Sequence, residues 1–130
     1  MAIVEINVLT GWLAILGGIA SGMVMGLFFH RNDAWMGDYA SMRRRMLRLG
    51  HVAFFGLGFM NLAFAFTVGA RPRWSPLIDI ASLALVSGAV AMPAVCLLTA
   101  WRARWRHAFP LPVACVLMGA VGLLAAWRSA

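Results

Sequence analysis

Four long apolar runs dominate the pattern of hydrophobic and polar positions along the chain. They cover residues 10–29, 49–68, 77–100 and 109–127, and short segments that contain arginine separate them. A bilayer core of about 30 Å is crossed by roughly 20 helical residues, so each run is long enough to span it. Short connections place consecutive helices side by side and antiparallel. The pattern therefore predicts an all-α integral membrane protein, a four-transmembrane-helix up-down bundle that forms one domain over residues 1–130.

Composition supports a membrane location. Hydrophobic residues make up 63% of the chain and charged residues 12%, whereas soluble domains average about 45–50% and about 25%. A soluble domain of this length has too small an interior to bury so much apolar side chain. Ordinary soluble enzymes and disordered regulators are therefore excluded.

The tryptophans mark the boundaries of the predicted spans. An indole ring has one polar edge and prefers the membrane–water interface. All six tryptophans lie at or just beyond the end of a predicted span: Trp12, Trp35, Trp74, Trp101, Trp105 and Trp127.

The arginines predict the orientation. The chain has a formal net charge of +7, and all its basic residues except histidine are arginine. Eight arginines fall in the first and third loops and three on the opposite side. Because basic loops stay on the cytoplasmic side, we expect both termini on the non-cytoplasmic side of a bacterial inner membrane. The expected partners of these loops are anionic lipid headgroups, and nucleic acid is not expected.

Glycines form a stripe along the first span. Gly18, Gly22 and Gly26 follow one another at spacings of four, which allows a second helix to approach closely. Tight packing, inside the bundle or between protomers, is the favoured interpretation. The alternative is a smooth wall for a flat cofactor such as a porphyrin or a quinone.

Helix signals occur at several loop boundaries. Asp38 is the predicted N-cap of a helix that continues into the second span. Ser75 and Pro76 predict the N-cap and first residue of the third. Pro93 lies inside that third span and predicts a kink.

Few polar groups lie inside the spans. Asp79 falls in the first turn of the third span, where it can pair with Arg71 or Arg73; a proton or cation site is the alternative. Asn61 lies at mid-depth, and with Ser21 and Ser87 it is the only candidate lining for a solute path.

Histidine and cysteine side chains gather at the predicted cytoplasmic end. His51 lies about one turn inside the second span and His30 closes the first, while His107, Cys96 and Cys115 lie near the same face. Imidazole and thiolate can bind haem iron or copper. Interfacial histidine and buried cysteine are also ordinary features of membrane proteins. His51 and His30 are the predicted cofactor-binding residues, with haem b, a quinone or a lipid as the candidates; no metal site is predicted from spacing.

No catalytic motif is present, since G-x-S-x-G, H-E-x-x-H and Walker sequences are absent. The favoured hypothesis is a non-catalytic accessory, anchor or assembly subunit of a larger membrane complex, one of electron transfer for example, or a homo-oligomer. The second hypothesis is a small b-type haem protein whose axial ligands are His51 and His30. The third is a transporter of small solutes.

Overall fold

The computed structural model describes residues 2–30, 34–70 and 75–128, and these residues form helices joined by short turns. A short 3-10 helix at Ala103–Ala108 precedes the last of four long helices. The four are α1 (Ala2–Phe28), α2 (Met42–Gly69), α3 (Pro76–Trp101) and α4 (Pro110–Arg128).

All four helices are long and apolar enough to cross a membrane, so the prediction of an all-α bundle of four helices with membrane-spanning length and composition is confirmed. The first helix is longer than the predicted span, because it begins at Ala2 and not near residue 10. Trp12 consequently lies well inside α1, where its ring is 56% exposed on the outer face. The other helix ends fall within a few residues of the predicted ones, except that α2 begins at Met42.

The helices pack mainly in chain order. The extensive contacts join α1 to α2, α2 to α3 and α3 to α4, and α1 touches α3 over a smaller area. The described parts of α1 and α4 do not pack along each other, so the bundle is open on that side. Large apolar side chains cover the outer faces of both helices; Leu16 on α1 and Leu124 on α4 are examples, more than half exposed.

Glycines set the closest helix approaches. A Cβ on Gly11 would lie 2.9 Å from the carbonyl oxygen of Gly58, and one on Gly58 would lie 3.0 Å from that of Gly11, so α1 and α2 touch backbone to backbone there. A Cβ on Gly119 would similarly lie 2.5 Å from the Leu85 side chain of α3. Small residues therefore allow helices to pack closely inside this bundle, as such motifs do between membrane helices.

Two ends of the bundle differ in character. The end that holds the chain termini contains the main apolar core. The opposite end holds the first loop, the start of α2 and the 3-10 helix, and we call it the arginine-rich end. Six buried residues from α2, α3 and α4 form the core: Phe64, Val68, Ile78, Ala81, Leu85 and Ala126.

Of the two predicted N-caps, the one of α2 is wrong and the one of α3 is confirmed. Asp38 is not the N-cap of α2; Ser41 is, and its hydroxyl accepts a hydrogen bond from the backbone N–H of Arg44 at 3.3 Å. Gly37, at φ 68°, turns the chain just before it, which delays the helix start. Ser75 caps α3 as expected, with Pro76 as the first helical residue. Pro93 is buried, and α3 continues through it to Trp101.

Candidate functional site

The polar centre of the arginine-rich half is a pair formed by Ser21 of α1 and His51 of α2. Their Oγ and Nδ1 atoms are 2.9 Å apart, and the same Oγ lies 2.9 Å from the carbonyl oxygen of Gly18. That carbonyl can only accept, so the single hydroxyl proton of Ser21 goes to it. With the hydroxyl proton so placed, Ser21 accepts from His51, and the expected neutral tautomer carries its proton on Nδ1 and a lone pair on Nε2.

Gly22 of α1 and Phe55 of α2 pack against the His51 ring and hold it in place. A Cβ on Gly22 would lie 2.8 Å from Cε1 of the ring, so only glycine leaves room for it. Phe55, one turn further along α2, meets the ring edge to face at a centroid distance of 5.2 Å. Among the described residues, no hydrogen bond uses Nε2.

A cavity of about 220 Å³ lies beside this pair. Among the described residues that line it, Ser21 and His51 are the polar ones, and the others are apolar. α1, α2, α3 and the first loop all contribute to it. Its other lining residues are Val24, Met25, Phe29, Met36, Leu47, Phe54 and Leu97.

A second, larger cavity of about 360 Å³ continues along the seam between α1 and α3. Phe54 and Leu97 line both cavities, so the two adjoin. Leu13 and Val90 line the second cavity and are more than half exposed, which opens it to the outer surface of the bundle. Among its described lining residues, Thr10 is the polar one.

The structure brings His51 to the cavity but not the other predicted ligands. His30 is exposed and does not line either cavity, and His107 is exposed on the 3-10 helix beside Arg106. Cys96 is buried on α3 and Cys115 is half-buried on α4. Within residues 2–30, 34–70 and 75–128, no three histidine, cysteine or acidic side chains lie close enough to hold a metal ion.

The glycine stripe is filled by side chains of α2. A Cβ on Gly18 would lie 2.7 Å from the Phe55 ring, and Gly22 faces His51. Gly26 differs from them, since nothing lies within 4 Å of its Cβ position. The space between α1 and α2 that a porphyrin would need therefore holds Phe55 and His51 themselves, and these residues do not fit a haem bound between His51 and His30.

Arginines of α2 organise the nearby end of the bundle. Arg44 is only 5% exposed and donates from Nη1 to the carbonyl oxygen of Phe29 at 2.7 Å, beside the C-terminus of α1. Arg43 donates to the carbonyl oxygen of Trp35, and its guanidinium stacks on that ring. The positive charge of Arg44 thus meets the negative end of the α1 dipole. Sequence reasoning assigned these arginines to headgroup contact and missed this internal role.

A second buried polar cluster lies toward the terminal end. Asn7 and Ser82 are both fully buried, and the Asn7 amide donates to the Ser82 hydroxyl and to the carbonyl oxygen of Ile3 at 2.9 Å. Asn61, also fully buried, donates to the carbonyl oxygens of Leu57 and Leu85. Sequence reasoning placed Asn7 before the first span and missed it; an asparagine between apolar residues on a helical face was the available signal.

Asp79 lies half-buried in the first turn of α3, as expected. Arg71 and Arg73, its predicted partners, fall outside the described residues.

Comparison with protein-family models, with curated proteins and with solved structures finds no match for this chain.

Proposed function

We propose that this protein is a non-catalytic membrane subunit that works by association, as an accessory, anchor or assembly subunit of a larger complex or as a homo-oligomer. The observation that carries the proposal is a pair of glycines on outward-facing positions. Gly26 of α1 and Gly56 of α2 are exposed, and nothing lies within 4 Å of either Cβ position.

No packing contact with the described residues explains why these two positions are glycine. Glycine in a helix interior is less favourable than alanine by about 0.5–1 kcal/mol. At Gly11, Gly18 and Gly22 the close approach of α2 requires it, but at Gly26 and Gly56 no part of the described chain does. Exposed small residues in membrane helices are the surfaces on which other helices pack. Contact with a partner helix gives these two positions a reason to be glycine.

The rest of the molecule agrees with this proposal. The described residues outside the long helices form only short turns and one 3-10 helix, which leaves no room for a soluble catalytic domain. The open side between α1 and α4 offers a further apolar surface. The proposed location is a bacterial inner membrane, with the arginine-rich end at the cytoplasmic face among anionic headgroups.

The test compares leucine substitutions at exposed and at internal glycines. The Cβ positions of Gly26 and Gly56 are open among the described residues and both sites are exposed, so Gly26→Leu and Gly56→Leu should fold normally and yet lose the partner or oligomer in mild-detergent purification and native mass spectrometry. Ala114→Leu, at an exposed position on α4, is the control of similar added bulk. Unchanged assembly in both glycine variants would contradict the proposal. Gly22→Leu is a poorer test, because Gly22 packs on His51 and the fold itself would suffer.

The haem hypothesis is the second candidate, and its support is the lone pair on Nε2 of His51. Its weakness is that His30 does not reach the same cavity. An absorption spectrum of the purified protein, oxidised and dithionite-reduced, decides it. We expect no Soret band; a Soret band that His51→Ala abolishes would restore the haem hypothesis.

The transporter hypothesis has less support. The side chains of Ser21 and Asn61 both donate hydrogen bonds to backbone carbonyl oxygens. Ser87 lies on an exposed face of α3. These residues do not line a shared cavity.

A further inference from the structure

The arginine-rich end carries two groups of arginines with unlike surroundings. Those of α2 are used inside the chain, since Arg43 and Arg44 donate to backbone carbonyl oxygens of residues before them. The third loop has a second group, which is exposed throughout: Arg102, Arg104 and Arg106. We propose that these third-loop arginines bind the headgroup of an anionic membrane phospholipid.

The third-loop arginines have few partners within the chain. Arg102 stacks on the Trp101 ring at 4.7 Å, and Arg106 reaches only the ring of His107, the next residue, at 3.5 Å. Arg104 has no hydrogen-bond or ion-pair partner among residues 2–30, 34–70 and 75–128. A guanidinium group has five N–H donors. Most of these donors therefore remain for an acceptor outside the chain.

The 3-10 helix that carries two of these arginines contains no buried residue. It is six residues long, whereas 3-10 runs beyond three or four residues are uncommon. Burial within the chain therefore contributes little to holding this segment in place. Contact between its guanidinium groups and lipid phosphates supplies an attraction that the chain itself lacks.

The position of the 3-10 helix suits contact with phosphate groups. α4 follows it directly and has 19 residues, a length of about 28 Å that matches the hydrocarbon core of a bilayer. The segment just before α4 then lies at headgroup depth. Trp101 and Trp105 are exposed beside the arginines, and tryptophan is enriched at this interface. This step rests on the membrane location proposed above and is independent of association with a partner subunit.

Charge and apolar surface together select an anionic phospholipid. A guanidinium binds a phosphate through two parallel hydrogen bonds, and residues 101–109 include no acidic side chain that competes. The first turn of α4 exposes Leu111 and Val113 next to this charge, which gives acyl chains a surface to lie on. An acidic peptide would match the charge alone. A zwitterionic headgroup carries its own cation, which offsets the attraction.

The test compares two phospholipids. The intact protein in neutral detergent is titrated with phosphatidylglycerol and with phosphatidylcholine of the same acyl chains, and native mass spectrometry counts the bound lipids. We expect the first phosphatidylglycerol to bind about tenfold more tightly than the first phosphatidylcholine, because each arginine at a membrane surface contributes about fivefold. Equal affinities would overturn the proposal.

Single variants assign the preference to the third loop. Arg104→Gln should weaken phosphatidylglycerol about fivefold and leave phosphatidylcholine unchanged. Arg45→Gln is the matched control, because Arg45 is exposed at the same end of the bundle and its loss removes the same charge. Its effect should stay below about twofold, since salt screens a charge that does not touch the headgroup. Equal losses in the two variants would indicate general attraction to a basic surface and contradict a site in the third loop.

A triple lysine variant separates phosphate binding from charge. Arg102→Lys, Arg104→Lys and Arg106→Lys together keep the charge and remove the guanidinium groups, so the preference for phosphatidylglycerol should fall. An unchanged preference would overturn the proposal.

The same spectra keep this proposal apart from that of association. Arg104→Gln should lose lipid preference with its assembly unchanged, whereas Gly26→Leu and Gly56→Leu should do the reverse. If Arg104→Gln instead loses a bound protein and keeps its lipid preference, the third loop binds an acidic protein and the lipid proposal is wrong.

Discussion

Ser21 has one hydroxyl proton, and the position of the Gly18 carbonyl decides where it goes. This small constraint favours a proton on Nδ1 of His51, which lies 2.9 Å from the Ser21 Oγ. A serine that bonds back to its own helix is usually a local matter. Here the same hydroxyl also influences which nitrogen of the neighbouring imidazole carries the proton.

The tautomer of His51 can be observed directly. We expect nitrogen-15 NMR of the selectively labelled protein to show a protonated Nδ1 and an unprotonated Nε2, because Ser21 can only accept from the ring. In Ser21→Ala the two tautomers should mix. A protonated Nε2 in the unmodified protein at neutral pH would show that the hydroxyl proton points to the ring instead.

Arg44 should matter far more to stability than its neighbour. It is buried and donates to the carbonyl oxygen of Phe29, just after the end of α1, whereas Arg45 is exposed. A hydrogen bond to a charged group contributes about 1.5–3 kcal/mol, so Arg44→Ala should lower the free energy of unfolding by about that amount. Arg45→Ala should change it by less than about 0.5 kcal/mol. Equal effects in denaturation assays of the two variants would contradict this assignment.

The residue scale is also where sequence reasoning was weakest. His51 was singled out, but its partner Ser21 was considered only as lining for a solute path, because the contact joins two helices whose facing sides a single sequence does not show. Asn7 was passed over for the same reason: its amide N–H donates to Ser82, far away in the chain. Partners of this kind become visible only when the helices are packed.

At the scale of the helices, glycines of one stripe have unlike surroundings. The spacing of Gly18, Gly22 and Gly26 is regular, yet the first two face rings of α2 and the third faces outward. A regular motif therefore identifies a helix surface suited to packing, and the structure is needed to tell which part of it is used inside the chain.

Alanine at Gly11 and at Gly26 should have opposite effects on stability. At Gly11 the new methyl would meet the Leu62 side chain and the Gly58 carbonyl oxygen within 3 Å, and the backbone oxygen cannot move aside. Overpacking of this kind costs about 1–3 kcal/mol. At Gly26 the methyl meets nothing, so its better helix propensity should be neutral or stabilising by up to about 1 kcal/mol. Steric-trapping or denaturant measurements of both variants check the pair, and destabilisation by Gly26→Ala would indicate a contact that the chain alone does not provide.

Helix existence was predictable, and helix ends were less so. The length of each apolar run suffices to identify a spanning helix. The predicted first span begins at residue 10, whereas α1 begins at Ala2, because the helix continues past the stretch that a bilayer requires. The start of α2 was misplaced because both Asp38 and Ser41 are good caps. The turn at Gly37 comes just before Ser41, and the helix begins after Ser41 and not after Asp38. The positive φ of Gly37 is a property of the backbone that composition does not reveal.

On the scale of the whole molecule, the orientation is a prediction that labelling can check. In a background without Cys96 and Cys115, cysteines are placed at exposed positions on the two ends, Ala40 in the first loop and Ala70 after α2. We expect a membrane-impermeant maleimide to label Ala70→Cys in intact spheroplasts and Ala40→Cys only after permeabilisation. The reverse pattern would place the arginine-rich end outside and contradict the orientation drawn from arginine counts.

The hydrogen bond between Asn7 and Ser82 has a consequence for the order of assembly. Helices that pack mainly on their neighbours in the chain can join one after another as each is synthesised, over short loops. Asn7 breaks that order, because its partner Ser82 lies 75 residues later and is in place only after α3 has packed. The first helical hairpin therefore forms with the Asn7 amide bonded only to the Ile3 carbonyl oxygen, and the packing of α3 adds the second bond. Such a late contact stabilises the folded protein but not the states that precede it. Its loss should therefore leave the assembly rate almost unchanged and speed up unfolding.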